Sequence, residues 1–213
     1  CFVTGVEDEP RRLAATKSGR SFLDESIDMT AFNGEITPTD ILSFWRDAGY
    51  DRWFGKDDAF DARIHARFAD LHQAAAAGHL DDWQSTDDGA LALVIVLDQF
   101  PRNLFRGTPQ AFATDAKARG IATRAIDRGA DHRVDPQLRP FFYLPLMHAE
   151  DLDAQERCVA LYQAYGDAKQ LAFAIEHRDI IARFDRFPHR NAVLGRDTSP
   201  DEQAYLDGGG FKG

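Results

Sequence analysis

The sequence predicts an all-α protein: an antiparallel helix bundle or α-α superhelix of about eight helices with short connections. Three observations carry this expectation. Apolar residues recur at three- and four-residue intervals, as in Phe60, Ile64, Phe68 and Leu71. Capping residues, prolines and glycines punctuate the chain in the order that helix starts and stops require. No segment alternates apolar and polar residues over the length of a strand.

Each element has its own justification. Thr37-Pro38-Thr39-Asp40 opens the first helix: Thr37 can cap, Pro38 suits the first helical position, and Asp40 favours the positive end of the dipole. That helix runs to about Ala48 and stops at Gly49. Asp57–Ala77 form a longer helix with one apolar stripe, closed by Gly78. Thr86 or Asp87 starts the next. Its stretch Ala90–Leu97 is apolar all round, which places it at the centre of the protein, and Pro101 is expected to break it. Thr114–Arg128 is amphipathic and ends at Gly129. Pro136 opens a helix through Met147, bent at Pro145. Asp153–Tyr165 and Asp167–Phe187 follow, parted by Gly166. Pro188–Pro200 reads as a loop, and Pro200–Leu206 as a short last helix before the Gly208-Gly209-Gly210 tail. The helix-pair rhythm hints at a solenoid-like stack, without fitting the tetratricopeptide consensus.

Composition bounds the function. A chain of 213 residues can bury a full core without disulfide or metal support, and one domain over residues 29–213 is expected. With 44% hydrophobic and 28% charged residues it matches soluble globular proteins, and most of its 16 phenylalanines must lie inside. A net charge of −10 argues against nucleic acid or an anionic membrane surface as partner, while leaving local basic segments free to bind a small anion. The two cysteines, Cys1 and Cys158, make no disulfide framework, which fits a reducing cytosol and a cytoplasmic location. No apolar run has membrane-spanning length. Residues 1–28 are polar, begin with Cys and lack the apolar stretch of a signal peptide. Met29 reads as the natural start, and residues 1–28 as a non-native or disordered leader.

The most informative feature is a repeated phrase. Asp98-Gln99-Phe100-Pro101-Arg102-Asn103 recurs as Asp185-Arg186-Phe187-Pro188-His189-Arg190-Asn191. Each copy follows an apolar helical segment, so the pair is expected to form two matching loops. Asp98 lies in a last helical turn, where the dipole disfavours a carboxylate by about 0.3–1 kcal/mol. Arg102, Arg106 or Arg190 should compensate it. In the functional reading, Arg102, Asn103, Arg190 and Asn191 converge on an anionic or carbonyl ligand, since the guanidinium fork matches two oxygens. In the structural reading the same residues are ion-paired helix ends that fix the loops.

A second run, Phe141 to Asp151, places Phe141, Leu144, Pro145 and His148 on one apolar face. His148 therefore points inward, with Glu150 and Asp151 just beyond. His177 points inward by the same argument, and His189 occupies the inserted position of the second phrase. General acid–base use of His148 or His189 is one reading. Their spacing matches no metal motif, and neither a nucleophile elbow nor a Gly-rich phosphate loop appears, so no metal or cofactor is expected. Trp45, Tyr50, Trp53 and Phe54 either pack a helix pair or form one wall of a pocket.

At these residues the chain resembles a bacterial family of unknown function, domain of unknown function 924. The likeness rests on Trp53-Phe54-Gly55, on Leu97 to Asn103, on Phe142-Tyr143-Leu144-Pro145 with His148, Glu150 and Asp151, and on His177-Arg178 with Phe187 to Asn191. It covers roughly Ile36 to Leu206. It implies an all-α fold classed with the tetratricopeptide-like proteins, and it implies no activity or catalytic residue.

Two functional readings follow. The first is a small-molecule pocket, of a binding protein or of an acid–base enzyme. Arg102, Asn103, Arg106, Glu150, Asp151, Arg190 and Asn191 would contact the ligand there, and Asp98, His148 and His189 would serve catalysis. The second is a tetratricopeptide-like scaffold for a peptide or protein partner, with the Arg-Asn phrases purely structural. A shared pocket requires the two phrases to meet in space.

Overall fold

A computed structural model describes residues 36–212, and most of the longer helices begin at a capping side chain. Thr37 and Asp40 form a capping box at the start of α1 (Pro38–Ala48): the Thr37 hydroxyl accepts the Asp40 N–H at 3.3 Å, and the Asp40 carboxylate accepts the Thr37 N–H at 2.8 Å. Gly49, with φ of +75°, turns the chain into the short α2 (Tyr50–Phe54). Asp57 caps α3 (Asp58–Ala76), and Thr86 caps α4 (Asp87–Val94).

α4 is the hub. Every residue from Gly89 to Phe100 is buried, and α1 and α6 (Asp115–Asp127) pack against it. Gly89 is needed at its start, because a Cβ there would lie 2.2 Å from the Trp83 carbonyl oxygen. Around this hub the core is strongly aromatic, with Phe68 against Phe100 at 5.0 Å and Trp45 against Phe100 at 5.6 Å between ring centroids.

Pro101 does not break the central helix. The helix widens into a π-turn over Ile95–Gln99, in which the Phe100 N–H reaches back to the Ile95 carbonyl, and continues as α5 (Phe100–Leu104). Pro101 then occupies the first turn of α5, where its missing N–H is tolerated. The Leu97 carbonyl, which a non-proline residue would have bonded, is taken by the Thr114 hydroxyl at 2.5 Å. The first copy of the repeated phrase is therefore helical, not a loop.

Two other expectations also change. The chain from Pro136 to Met147 is not one bent helix. It is a turn, a 3-10 segment over Arg139–Phe142 and a four-residue α7 (Leu144–Met147), because Pro140 and Pro145 each remove a helical donor. The long α9 (Ala168–Phe184) stops three residues before the expected Phe187, since Asp185 adopts a left-handed φ of +57° and Phe187 is extended. A 3-10 turn over Pro188–Arg190 follows.

Asp151 caps α8 (Leu152–Tyr165), Asp167 caps α9, and Ser199 caps α10 (Pro200–Asp207). A small second cluster of Ile180, Ile181 and Phe187 packs with Phe184, Tyr205 and Phe211. The architecture is all-α, and among the described residues no strand occurs and no helix is long and apolar enough to cross a membrane. The expected leader at residues 1–28 lies outside the described residues.

The π-turn makes a specific demand on Thr114. Thr114→Val leaves the buried Leu97 carbonyl without a donor and should lower stability by about 1–3 kcal/mol in urea unfolding. Unchanged stability would mean that the carbonyl finds another partner.

Candidate functional site

A cleft of about 530 Å³ opens between α2, α5, α7 and α9, with the 189–193 segment and Phe211-Lys212 at its edge. Its charged lining is one-signed. Arg102, Arg106, Arg190 and Lys212 face it together with His148, His177 and His189, and no Asp or Glu is among the described residues that line it. Three carboxylates stand behind this wall, each on one of its cations: Asp98 and Asp115 on Arg102, and Asp61 on Arg106.

Asp98 comes from the π-turn and is wholly buried. Its carboxylate is 2.8 Å from His148 Nδ1 and 3.5 Å from an Arg102 nitrogen, and the Gln99 amide also donates to it. Arg102 donates to the Asp98 carbonyl as well, and forks onto Asp115 at 3.0 and 3.1 Å. Burial opposes the Asp98 charge, but the Arg102 and His148 charges and the bonds from His148 and Gln99 outweigh it and hold the carboxyl down at about 2.

His148 follows α7 directly. Gln155, fully buried on α8, fixes the chain on both sides of it by donating to the Met147 and Ala149 carbonyls at 2.6 and 2.7 Å. Arg190 fixes it from a third side through the His148 carbonyl at 3.1 Å. Burial and the Arg102 charge push the imidazole below its ordinary value, and Asp98 pulls it back only in part. His148 is thus neutral at pH 7, with Nδ1–H on Asp98 and Nε2 as the nitrogen left for the cleft.

The two phrases do meet. Arg190 is only 8% exposed, reaches to 3.8 Å from Asp115, and lies over the Phe112 ring at 4.7 Å, a ring that Arg102 also covers at 5.8 Å. Burial and the nearby Arg102 push Arg190 down to about 10, with Asp115 and Glu150 pulling the other way. Its Nε has no partner among the described residues. Arg190 is therefore a buried cation whose charge is incompletely answered.

His177 donates Nδ1–H to the Phe173 carbonyl at 2.8 Å, and burial pushes it down to about 4. His189 is likewise held at about 4, first by burial and then by Arg190, and its Nδ1 is buried without a partner among the described residues. Phe211 packs its ring on both, 4.5 Å from His177 and 5.1 Å from His189.

Several expected residues serve elsewhere. Asn103 and Arg106 line the cleft, but Asp61 holds them at 2.8 and 3.1 Å. Glu150 is outside the lining: it binds Arg196 at 2.7 and 2.9 Å and accepts the Phe187 N–H at 2.8 Å. Asn191 accepts from the same Arg196 at 3.0 Å and donates to Thr198 at 3.3 Å, so these two residues staple the 187–198 segment. Asp151 caps α8 and pairs with Arg119 at 3.3 Å. Asp185 is exposed and is no counterpart of Asp98. Sequence reasoning missed Asp115 and Phe112, which nothing local distinguishes from an ordinary helix start and an ordinary core ring. It also missed Gln155, although a glutamine at a buried helical position was a usable signal.

The model of a family described as bacterial proteins of unknown function, DUF924, matches residues 41–210. The chain is also similar to a solved structure of a protein of unknown function from Agrobacterium tumefaciens, at 53% identity and a TM-score of 0.77 over 80% of this chain and 97% of that one. No curated protein matches.

The buried neutral histidines fix an acid response. In the unfolded chain they titrate near the ordinary 6.5, whereas His177 and His189 in the fold wait until about 4. The unfolded chain therefore takes up protons first, and stability falls as pH drops from about 6.5 towards about 4. Asp98 extends the loss below its ordinary 3.8 towards about 2. Urea unfolding at about pH 5 should show on the order of 1–4 kcal/mol less stability than at about pH 7. The His177→Gln/His189→Gln variant should narrow that gap, and an unchanged gap would contradict the assignment.

Proposed function

This chain belongs to the bacterial family of unknown function DUF924, and we propose that it is a small-molecule enzyme that binds an anion and moves a proton with His148. One observation carries the reading. A neutral imidazole, tethered through Nδ1 to a wholly buried carboxylate, lines a cleft whose other charged groups are all cations.

The roles follow from that geometry. Arg190, with its incompletely answered charge, draws the anion, and Arg102 at the same ring reinforces it. The ligand sits beside His148, whose Nε2 takes a proton from the ligand itself or from a water next to it. The resulting imidazolium is stabilised by Asp98, which stays ionised and holds the ring in one tautomer. Gln155 and the Arg190–His148 carbonyl bond are positioning contacts that keep Nε2 aimed. Among the described residues lining the cleft there is no Ser, Thr or Cys for His148 to activate, and in this reading the base acts on ligand or water directly. A cleft of about 530 Å³ with a buried arginine in its wall suits a small molecule better than an extended peptide.

The test is a thermal-shift titration of the full chain with inorganic phosphate and with acetate. A ligand at about 100 times its Kd adds about 2.7 kcal/mol by mass action, a rise of several degrees. Wild type should show the rise. Arg190→Gln, confirmed as folded by circular dichroism, should lose it, and His148→Asn should keep it. An equal rise in wild type and Arg190→Gln would remove the anion site from this cleft.

A further inference from the structure

We infer that the anion taken by this cleft carries an aromatic or similarly flat apolar group, which lies against a ledge of Tyr50, Trp53 and Phe54 while Arg190 holds the charge. The inference rests on the anion-binding reading above and adds the chemistry of the rest of the ligand.

The ledge is built from α2, a five-residue helix none of whose residues is buried. Trp53 packs against the edge of the core, and Tyr50 and Phe54 stay half-exposed. Yet the rings are ordered. Trp53 donates its indole N–H to the Trp45 carbonyl at 2.6 Å and stands edge-on to Phe141 at 5.1 Å. Tyr50 and Phe54 lean on one another at 5.0 Å and on Trp53 at 6.5 and 6.4 Å. Trp53 is pinned to the fold, Phe54 lies parallel to Phe141 at 6.4 Å, and the Lys169 ammonium sits over the Tyr50 ring at 4.7 Å, while Tyr50 and Phe54 both stay half-exposed.

Exposure singles out the same place. Tyr50 is 43%, Phe54 49% and Phe173 39% exposed, and all three line the cleft. Only Leu152 and Ile175 are comparably exposed large apolar residues among those described, and neither lines it. Scattered exposed apolar residues need no explanation, but a cluster of ordered rings on one wall of a cavity marks a surface that something covers. The cations line the same cleft, so one cavity presents both exposed rings and positive charge. Inorganic phosphate would occupy a small part of about 530 Å³ and leave the ledge wet. An aryl carboxylate or aryl phosphate would engage both kinds of group, stacking on or meeting the rings edge-on.

Isothermal titration of the full chain with five probes tests this: 2-naphthoate, 1-naphthyl phosphate, the neutral 2-naphthalenemethanol, acetate and inorganic phosphate. At least one naphthyl anion should bind about tenfold or more tighter than its small counterpart and than the neutral alcohol, the order expected from covering a ring face. Which naphthyl anion wins distinguishes a carboxylate from a phosphate ligand. Phe54→Ala, at a half-exposed position, should cost the naphthyl anion about tenfold and leave the small anion unchanged, while Arg190→Gln weakens both. Equal affinity for the naphthyl and small anions, or naphthyl binding indifferent to Phe54→Ala, would overturn the aromatic-ligand inference and leave the anion reading standing. Binding of the neutral alcohol as tightly as the anions, unaffected by Arg190→Gln, or no binding of any probe, would overturn both.

Discussion

A carboxylate with no exposure to water must be matched by cations and donors held around it, and Asp98 sets that requirement for the whole cleft. It projects from the end of the most buried helix in the protein, so the groups that answer it must come from other elements. Arg102 answers from the next turn, Gln99 from beside it, and His148 from the end of α7. Arg102 in turn needs Asp115 at the start of α6, and Asp115 is where Arg190 arrives from the segment after α9. One buried charge thus ties four parts of the chain to a common point. Removing the Asp98 carboxylate would untether His148 and leave Arg102 to Asp115 alone among the carboxylates.

The same network explains how an acidic protein keeps a basic cleft. Each carboxylate is spent behind the wall on an arginine or the histidine, so the lining presents cations and neutral imidazoles. Arg190 is the exception in degree: Asp115 lies 3.8 Å away and already carries a two-pronged bond to Arg102. The leftover positive charge is held in a low-dielectric place beside Phe112 and Phe187, where an incoming anion is worth more than on an open surface.

Much of this was legible in the residues. The cap at Thr37 states where the first helix begins, and the uniformly apolar Ala90–Leu97 run states which helix is central. The inward His148 follows from its place on the Phe141 stripe. What was not legible has physical causes. The rule that proline ends a helix assumes the ordinary four-residue register, and the π-turn before Pro101 relaxes that assumption with help from Thr114, a residue far along the chain. The repeated phrase promised two equal loops, but Asp185 takes a left-handed exposed corner while Asp98 is buried. The likeness lay in the letters and not in the backbone. Glu150 and Asn191 stand in motifs beside cleft residues, and only their shared partner Arg196 shows that they hold a segment in place. Asp115 could not be picked out, because an aspartate at a helix start has a sufficient local explanation.

The account turns on the protonation state of one ring. A long-range ¹H–¹⁵N spectrum of the imidazoles at neutral pH, assigned by comparison with His148→Asn, reads it directly. The structure predicts His148 neutral, protonated on Nδ1 against Asp98, with Nε2 bare and available to a ligand. A His148 signal protonated on Nε2, or on both nitrogens, would contradict the base assigned to this cleft.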